Sequence, residues 1–328
     1  MSTTQEELRT PLEPRPPEAF HFHDILYEKR DFVARVTINR PHVYNAYRTQ
    51  TLAEMRDAFR DAACDDGVAV LVLTGAGERA FCTGGDVAEY AREFTRRPRD
   101  YWKYMSLFME CHDALRNIGK PTIARLNGIV AGGGNEFNMA CDLAVAADDI
   151  TIRQVGTRVG SVAAGGATQW LPLLIGDRRA REMLLTCEPI TAQKALEWGL
   201  VNRVVPRAQL DAAVDELCQT LIDKFPECLR YTKQQVNFWK DFAWHLTAGH
   251  ARDWLSLHFA CREPWEGMTA FVEKRPVDYR ALREQARQGG WVESLWGPPT
   301  KQCPACGARG LPAGMAYCGR CGQKLAEG

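Results

Sequence analysis

The run Val68-Ala69-Val70-Leu71-Val72-Leu73-Thr74-Gly75 is continuously apolar and ends on glycine. A strand of this kind has both faces buried, and that is the situation of a parallel sheet covered by helices. A second apolar run, Leu143–Ala147, repeats the pattern. Phe32-Val33-Ala34-Arg35-Val36-Thr37-Ile38 is β-branched, of strand length, and stops at Asn39-Arg40-Pro41. Thr51 to Ala63 carries Leu52, Met55, Phe59 and Ala63 at helical spacing. A further strand and helix are expected around Pro121–Asn127 and Gly133–Cys141. Strands alternating with helices predict an α/β chain with much of its sheet parallel. From Pro189 to the mid-280s the pattern is mainly helical, with Pro206, Pro226, Pro264 and Pro276 as breaks.

Residues 1–21 read as a flexible tail, rich in proline and charge and without apolar periodicity. Gly297-Pro298-Pro299 breaks the chain again before a Gly/Cys-rich end. The divisions expected are therefore 1–21 tail, 22–206 core, 207–296 helical region and 297–328 terminal module. Lys+Arg and Asp+Glu each number 41, and 45% of the 328 residues are hydrophobic. That balance excludes a disordered chain and a basic nucleic-acid coat. No apolar run reaches the roughly 18–20 residues of a membrane span, and no basic-then-apolar leader opens the chain, so a cytoplasmic protein is expected.

Two glycine-rich turns carry the chemistry. The first is Ala80-Phe81-Cys82-Thr83-Gly84-Gly85-Asp86; the second is Gly128-Ile129-Val130-Ala131-Gly132-Gly133-Gly134-Asn135-Glu136. Glycines at a helix start leave main-chain N–H groups unpaired, with no side chain in the way, a setting that suits negative charge. One such turn alone reads more readily as tight strand–helix packing. Glu136, in the first turn of the expected helix, could complement the helix N-terminus or move a proton.

Together the two turns resemble the signatures of the crotonase superfamily, the enoyl-CoA hydratase/isomerase family. Further blocks agree over about residues 23–290: Thr37-Ile38-Asn39-Arg40-Pro41 with Asn45-Ala46, Gly165-Gly166-Ala167-Thr168-Gln169, Ile190-Thr191-Ala192-Gln193-Lys194-Ala195 with Trp198-Gly199-Leu200-Val201, and Glu266-Gly267-Met268-Thr269-Ala270-Phe271. The resemblance implies a ββα spiral core with a C-terminal helical trimerisation region, assembling as trimers or hexamers. It implies an acyl-CoA thioester substrate whose enolate oxygen is held by the backbone N–H groups of Thr83 and Gly133, with Glu136 catalytic. Coenzyme A would lie against His42, Val43 and Tyr44 and the Gly84-Gly85-Asp86 turn, with Phe271 and Lys274 contributed by a neighbouring subunit.

One departure stands out. The second glutamate of the hydratases would fall four residues before Gly160, where this chain has Gly156. Among family branches, the 6-oxocyclohex-1-ene-1-carbonyl-CoA hydrolases are the most similar, through Phe81-Cys82-Thr83-Gly84-Gly85, Glu136, Met139-Ala140-Cys141-Asp142, Gly160-Ser161 and Phe225-Pro226-Glu227-Cys228. A long insertion they carry after Val204-Val205-Pro206 is missing here. This implies a hydratase/hydrolase that opens a cyclic oxo-enoyl-CoA. A simple enoyl-CoA hydratase or isomerase, or a non-catalytic CoA-binding scaffold, are the alternatives. Gln154, Ser161, Thr168 and Asp86 are polar candidates to position water.

Cys303-Pro304-Ala305-Cys306 and Cys318-Gly319-Arg320-Cys321 form C-x₂-C-x₁₁-C-x₂-C. Four thiolates suit a closed tetrahedral zinc site, with a disulfide pair as the rival reading. The module resembles a structural zinc ribbon. Its charges, counted with a zinc–tetrathiolate centre, cancel to about zero, so nucleic acid is not the expected partner and a protein is.

Overall fold

The computed structural model describes residues 13–294 and 297–326. Its strands are β1 Ile25–Arg30, β2 Val33–Ile38, β3 Val70–Gly75, β4 Ala80–Cys82, β5 Thr122–Leu126, β6 Ile129–Ala131, β7 Leu143–Ala147, β8 Thr151–Arg153, β9 Ile190–Thr191 and β10 Arg203–Val205. Its α-helices are α1 Thr49–Cys64, α2 Val87–Glu89, α3 Pro98–Arg116, α4 Gly133–Ala140, α5 Ala167–Ile175, α6 Asp177–Thr186, α7 Ala192–Trp198, α8 Leu210–Ile222, α9 Pro226–His258, α10 Arg262–Val272 and α11 Tyr279–Arg287. Two compact units divide the chain. One comprises the described residues within 1–86, 102–158 and 162–253; the other comprises 87–101, 159–161 and the described residues from 254 onward.

The first unit holds both sheets, ordered β1-β2-β3-β5-β7-β10 and β4-β6-β8-β9. β1 and β2 form an antiparallel hairpin whose two loop residues, Asp31 and Phe32, have φ of 50° and 63°. Such a turn follows the right-handed twist of its strands. The pairs β2–β3, β3–β5, β5–β7 and β7–β10 are parallel, as the alternating pattern requires. β3 is buried at every residue because it lies inside the larger sheet. In the smaller sheet β4–β6 and β6–β8 are parallel and β8–β9 is antiparallel.

Helix α1 begins and ends within two residues of the periodic stretch, and Leu52, Met55 and Phe59 are fully buried. Between Pro189 and Arg287 the regular elements are the helices α7 to α11, with β9, β10 and a 3₁₀ turn at Arg207–Gln209. β1 and α3 had no clear signal. β1 alternates Ile25 and Tyr27 inward with Leu26 and Glu28 outward, but three of its six residues are charged.

Below α4 lies an aromatic core of Tyr47, Phe108, His112, Phe137, Trp170 and Trp244. α9 is fastened to the end of α4 by two lysines. Lys240 Nζ donates to Met139 O at 2.8 Å, and Lys233 Nζ reaches Asp142 at 2.7 Å. Of the expected tail, residues 1–12 lie outside the described residues. Pro17–Ala19 forms a 3₁₀ turn, and the Arg15 N–H donates to Asp61 at 2.7 Å.

In the second unit the C-terminal module is built on two short bridges, Lys301 with Leu311 and Tyr317 with Lys324. Its small core is Cys303, Cys318 and Leu325, flanked by Leu311 and Met315.

Candidate active site

β4 and β6 are parallel neighbours, so the turns that follow them leave the same end of the sheet side by side. They interlock closely. Gly84 has φ of 94°, and a Cβ there would sit 3.0 Å from the Gly133 nitrogen. A Cβ on Gly134 would lie 2.0 Å from Cys82 O, so only glycine lets the turns approach this far. The Gly132 N–H donates to Arg153 O at 3.0 Å. Among the described residues the N–H groups of Thr83 and Gly133 have no acceptor. Thr83 is turned outward, its hydroxyl donating to Tyr44 O.

Tyr47 stitches the first turn and touches the second. Its N–H donates to Gly84 O at 2.9 Å, its carbonyl accepts from the Asp86 N–H at 2.8 Å, and it bridges to Gly85. A Cβ on Gly133 would land 1.8 Å from the Tyr47 hydroxyl oxygen. Glycine at 133 is thus imposed by Tyr47, not only by the approach of a substrate. Tyr47 gave no signal in the sequence, because its role arises only where two distant turns meet. Asp86 Oδ2 is taken by Arg40 at 2.9 Å. Arg40 is buried and needs a counter-charge.

Glu136, on the first turn of α4, is 5% exposed. Its Oε1 accepts the Ala167 N–H at 3.3 Å, and Gly165 lies against Oε2, where a Cβ would come within 2.9 Å. Burial pushes its carboxyl up to about 7, opposed by the N–H groups of Ala167 and Gly165. Among the described residues no cation pairs with it. Nearby, His112 donates its Nδ1–H to Phe108 O at 3.0 Å and stacks on Phe137. Burial holds it neutral, with its acidity shifted down to about 3. A carboxyl raised toward neutrality, in the first turn of a helix that begins at Gly133, has the chemistry to take or give a proton, and main-chain N–H groups without an acceptor have the chemistry to hold an oxyanion.

The other candidates are spread more widely. Val155, next to Gly156, packs so that a Cβ on Gly132 would lie 2.9 Å from its methyl group. The position of the second family glutamate therefore adjoins the oxyanion turn, and it offers no carboxylate. Gln154 is fully buried, and neither amide atom has a partner among the described residues. Thr168 is exposed and donates to Gln169 Oε1 at 2.9 Å. Ser161 belongs to the second unit. His42 and Val43 form a 3₁₀ turn ending at Tyr44, whose φ is 55°. Arg79, which the sequence did not single out, stacks on the Tyr44 ring at 4.0 Å and bonds its hydroxyl. Phe271 and Lys274 are both exposed, at and beyond the end of α10 in the second unit.

The four cysteine sulfurs of the C-terminal module lie within 4.8 Å of one another. Cys303–Cys321 is 3.6 Å and Cys306–Cys318 is 3.7 Å. A tetrahedral zinc with Zn–S near 2.3 Å would space its sulfurs by about 3.8 Å. Disulfides need about 2 Å, so the donor set fits a metal and not a bridge. The backbone N–H groups of Arg320 and Cys321 bring the Cys318 thiol down to about 6. Gly307 and Gly322, with φ of 72° and 76°, close the two knuckles.

The family pattern described as enoyl-CoA hydratase/isomerase matches residues 28–282. The chain belongs to the enoyl-CoA hydratase/isomerase family, and it is an enzyme of the crotonase superfamily. It is 32% identical to 6-oxocyclohex-1-ene-1-carbonyl-CoA hydrolase of Geobacter metallireducens, over 83% of this chain and 86% of that protein. Among solved structures it is similar to an enoyl-CoA hydratase from Mycobacterium avium subsp. paratuberculosis K-10. There the TM-score is 0.71 and the identity 26%, over 78% of this chain and 98% of the other. An enoyl-CoA hydratase from Bacillus anthracis gives a TM-score of 0.63 and 30% identity, over 78% and 99%.

Proposed function

We propose that the chain hydrates and opens the ring of a cyclic oxo-enoyl-CoA thioester, as the name of its Geobacter relative describes. The observation that carries this reading is a lone buried carboxyl, Glu136, beside the paired glycine turns, with Gly156 where a second glutamate would act. Thr83 and Gly133 N–H groups hold the thioester oxygen as it gains charge, each worth about 10²–10³ in rate. Water adds across the ring double bond, placing hydrogen on the α-carbon. A second water then attacks the ring ketone. The bond between that carbon and the α-carbon breaks in a retro-aldol-type step, and its electron pair passes into the thioester enolate. Glu136 returns the proton to the α-carbon. The substrate's ketone supplies the electrophile, which lessens the need for a second carboxylate.

Coenzyme A would lie on His42, Val43 and Tyr44, with Gly84 and Gly85 below, Asp86 shaping the turn and Arg79 placed to meet phosphate. Phe271 and Lys274 would reach it from a neighbouring subunit. The exposed apolar row Tyr231, Phe238, Trp239, Phe242 and Leu246 on α9 supports assembly as a trimer or hexamer. The four-cysteine cluster would hold structural zinc and dock a protein partner, residues 207–296 would serve assembly, and 297–328 would be the ribbon. Twelve cysteines without a disulfide suit a cytoplasmic setting, and the substrate class suits aromatic-ring degradation.

The test is a panel of cyclic and linear enoyl-CoAs followed by mass spectrometry. The cyclic oxo-enoyl-CoA should gain two waters and open. Preference for a linear enoyl-CoA would make the chain a simple hydratase, and binding without turnover would make it a scaffold.

A further inference from the structure

We propose that Gln169 is a positioning residue for Glu136: its side chain clamps the Ala164–Thr168 loop so that the Ala167 and Gly165 N–H groups stay aimed at the Glu136 carboxylate. Gln169 Oε1 accepts the Gly166 N–H at 3.1 Å, and Nε2 donates to Ala164 O at 3.0 Å. The two bonds therefore straddle Gly165, whose N–H faces Glu136. Ala167, the other donor, follows directly after the clamped Gly166.

The loop needs such a clamp. Gly166 sits at φ of 130°, and a Cβ there would strike the Trp170 ring at 2.6 Å. Glycine at both 165 and 166 gives the segment wide conformational freedom when nothing holds it. Gln169 can hold it because its own helix is anchored. Trp170 is fully buried and donates Nε1–H to Lys240 O at 3.3 Å, and Leu171 beside it is buried as well. Gln169 is itself 8% exposed, so water competes little for its amide.

The consequence falls on Glu136 because the loop supplies its polar contacts. N–H donation to a carboxylate favours the charged form, and burial opposes it. Releasing the loop therefore raises the pH at which Glu136 ionises and loosens its orientation. This inference rests on Glu136 being the proton-transferring group, but its readout does not.

The experiment compares Gln169→Met, which keeps length and volume but neither clamping bond, with Thr168→Val, which removes the hydroxyl bond to Gln169 Oε1 but leaves both clamping bonds in place. The Glu136 carboxyl is titrated by ¹³C NMR, its resonance assigned by its loss in Glu136→Gln. In Gln169→Met the midpoint should rise by about one pH unit, with faster exchange of the Ala167 amide; in Thr168→Val it should stay put. The acid limb of the kcat/KM profile should move by the same amount as the NMR midpoint. A folded Gln169→Met with an unmoved midpoint overturns the proposal. So does a variant too unstable to titrate, since Gln169 would then serve the fold as a whole. If Glu136→Gln keeps full activity while the midpoint still moves in Gln169→Met, the clamp stands and the catalytic reading of Glu136 falls.

Discussion

Replacing Glu136 by glutamine should make the protein more stable at alkaline pH while nearly stopping turnover. The reasoning starts from the carboxyl's surroundings. Burial raises its ionisation from 4.5 to about 7. Between those values the folded protein keeps a proton that the unfolded chain releases. Stability from this group is therefore fully present below pH 4.5, falls as pH climbs through 7, and levels off above it. At about 1.4 kcal/mol per pH unit, the cost of ionised Glu136 approaches about 3 kcal/mol at alkaline pH.

Glutamine carries no charge, so the variant escapes that cost. Its gain should be about 1 kcal/mol near pH 5.5 and about 3 kcal/mol near pH 8.5. The amide's NH₂ facing Gly165 takes some of this back, but by an amount that does not change with pH. Urea unfolding at the two pH values isolates the pH-dependent part. A rate loss of about 10²–10⁴ should accompany it. A gain equal at both pH values would refute the claim that the folded protein holds Glu136 protonated near neutrality. Unimpaired turnover would remove Glu136 from the chemistry.

Gly133→Ala puts a Cβ 1.8 Å from the Tyr47 hydroxyl, and should cost about 1–3 kcal/mol of stability as well as activity. Adding Tyr47→Leu should restore the stability measured by thermal unfolding, and a fully stable single variant would count against the contact. Metal analysis should find one zinc per chain on Cys303, Cys306, Cys318 and Cys321. Chelation should raise hydrogen exchange from about residue 300 onward and leave exchange in β3 and β5 unchanged. Lys274→Glu should raise KM for CoA esters with little change in kcat, through repulsion of phosphate; an unchanged KM removes Lys274 from the CoA site.

What the sequence revealed was local. β3 and β7 are apolar runs, α1 is a periodic stretch, and the two glycine turns announce themselves within ten residues. The cysteine spacing likewise carries its own geometry. What stayed hidden depends on residues far apart in the chain. Arg40 takes Asp86 from 46 residues away, so a carboxylate read as a substrate contact proves to have a buried partner. Tyr47 matters because folding drives its hydroxyl against Gly133, and Arg79 because it stacks on Tyr44. Thr168 looked like a water-positioning group by composition, yet in the structure it faces outward while its neighbour Gln169 braces the loop. Local pattern fixes which segments form strands and turns; which polar atom meets which is decided by register and packing.

The site also explains why one carboxyl can be enough. The oxyanion donors proposed for it are main-chain groups, in turns whose glycines are enforced by close contacts to Gly133 N and Cys82 O at positions 84 and 134. They ask nothing of side-chain chemistry. In the proposed reaction proton transfer falls to Glu136, whose burial raises its carboxyl to about 7. A two-carboxylate site divides acid and base between groups pushed apart in pKa. With Gly156 at the second position, the proposed reaction leaves a single group to hold a proton and give it back within one cycle. Such a cycle closes when the substrate carries its own electrophilic carbonyl. A cyclic oxo-enoyl thioester supplies a ring ketone for the second water to attack, and a linear enoyl thioester has no such ketone.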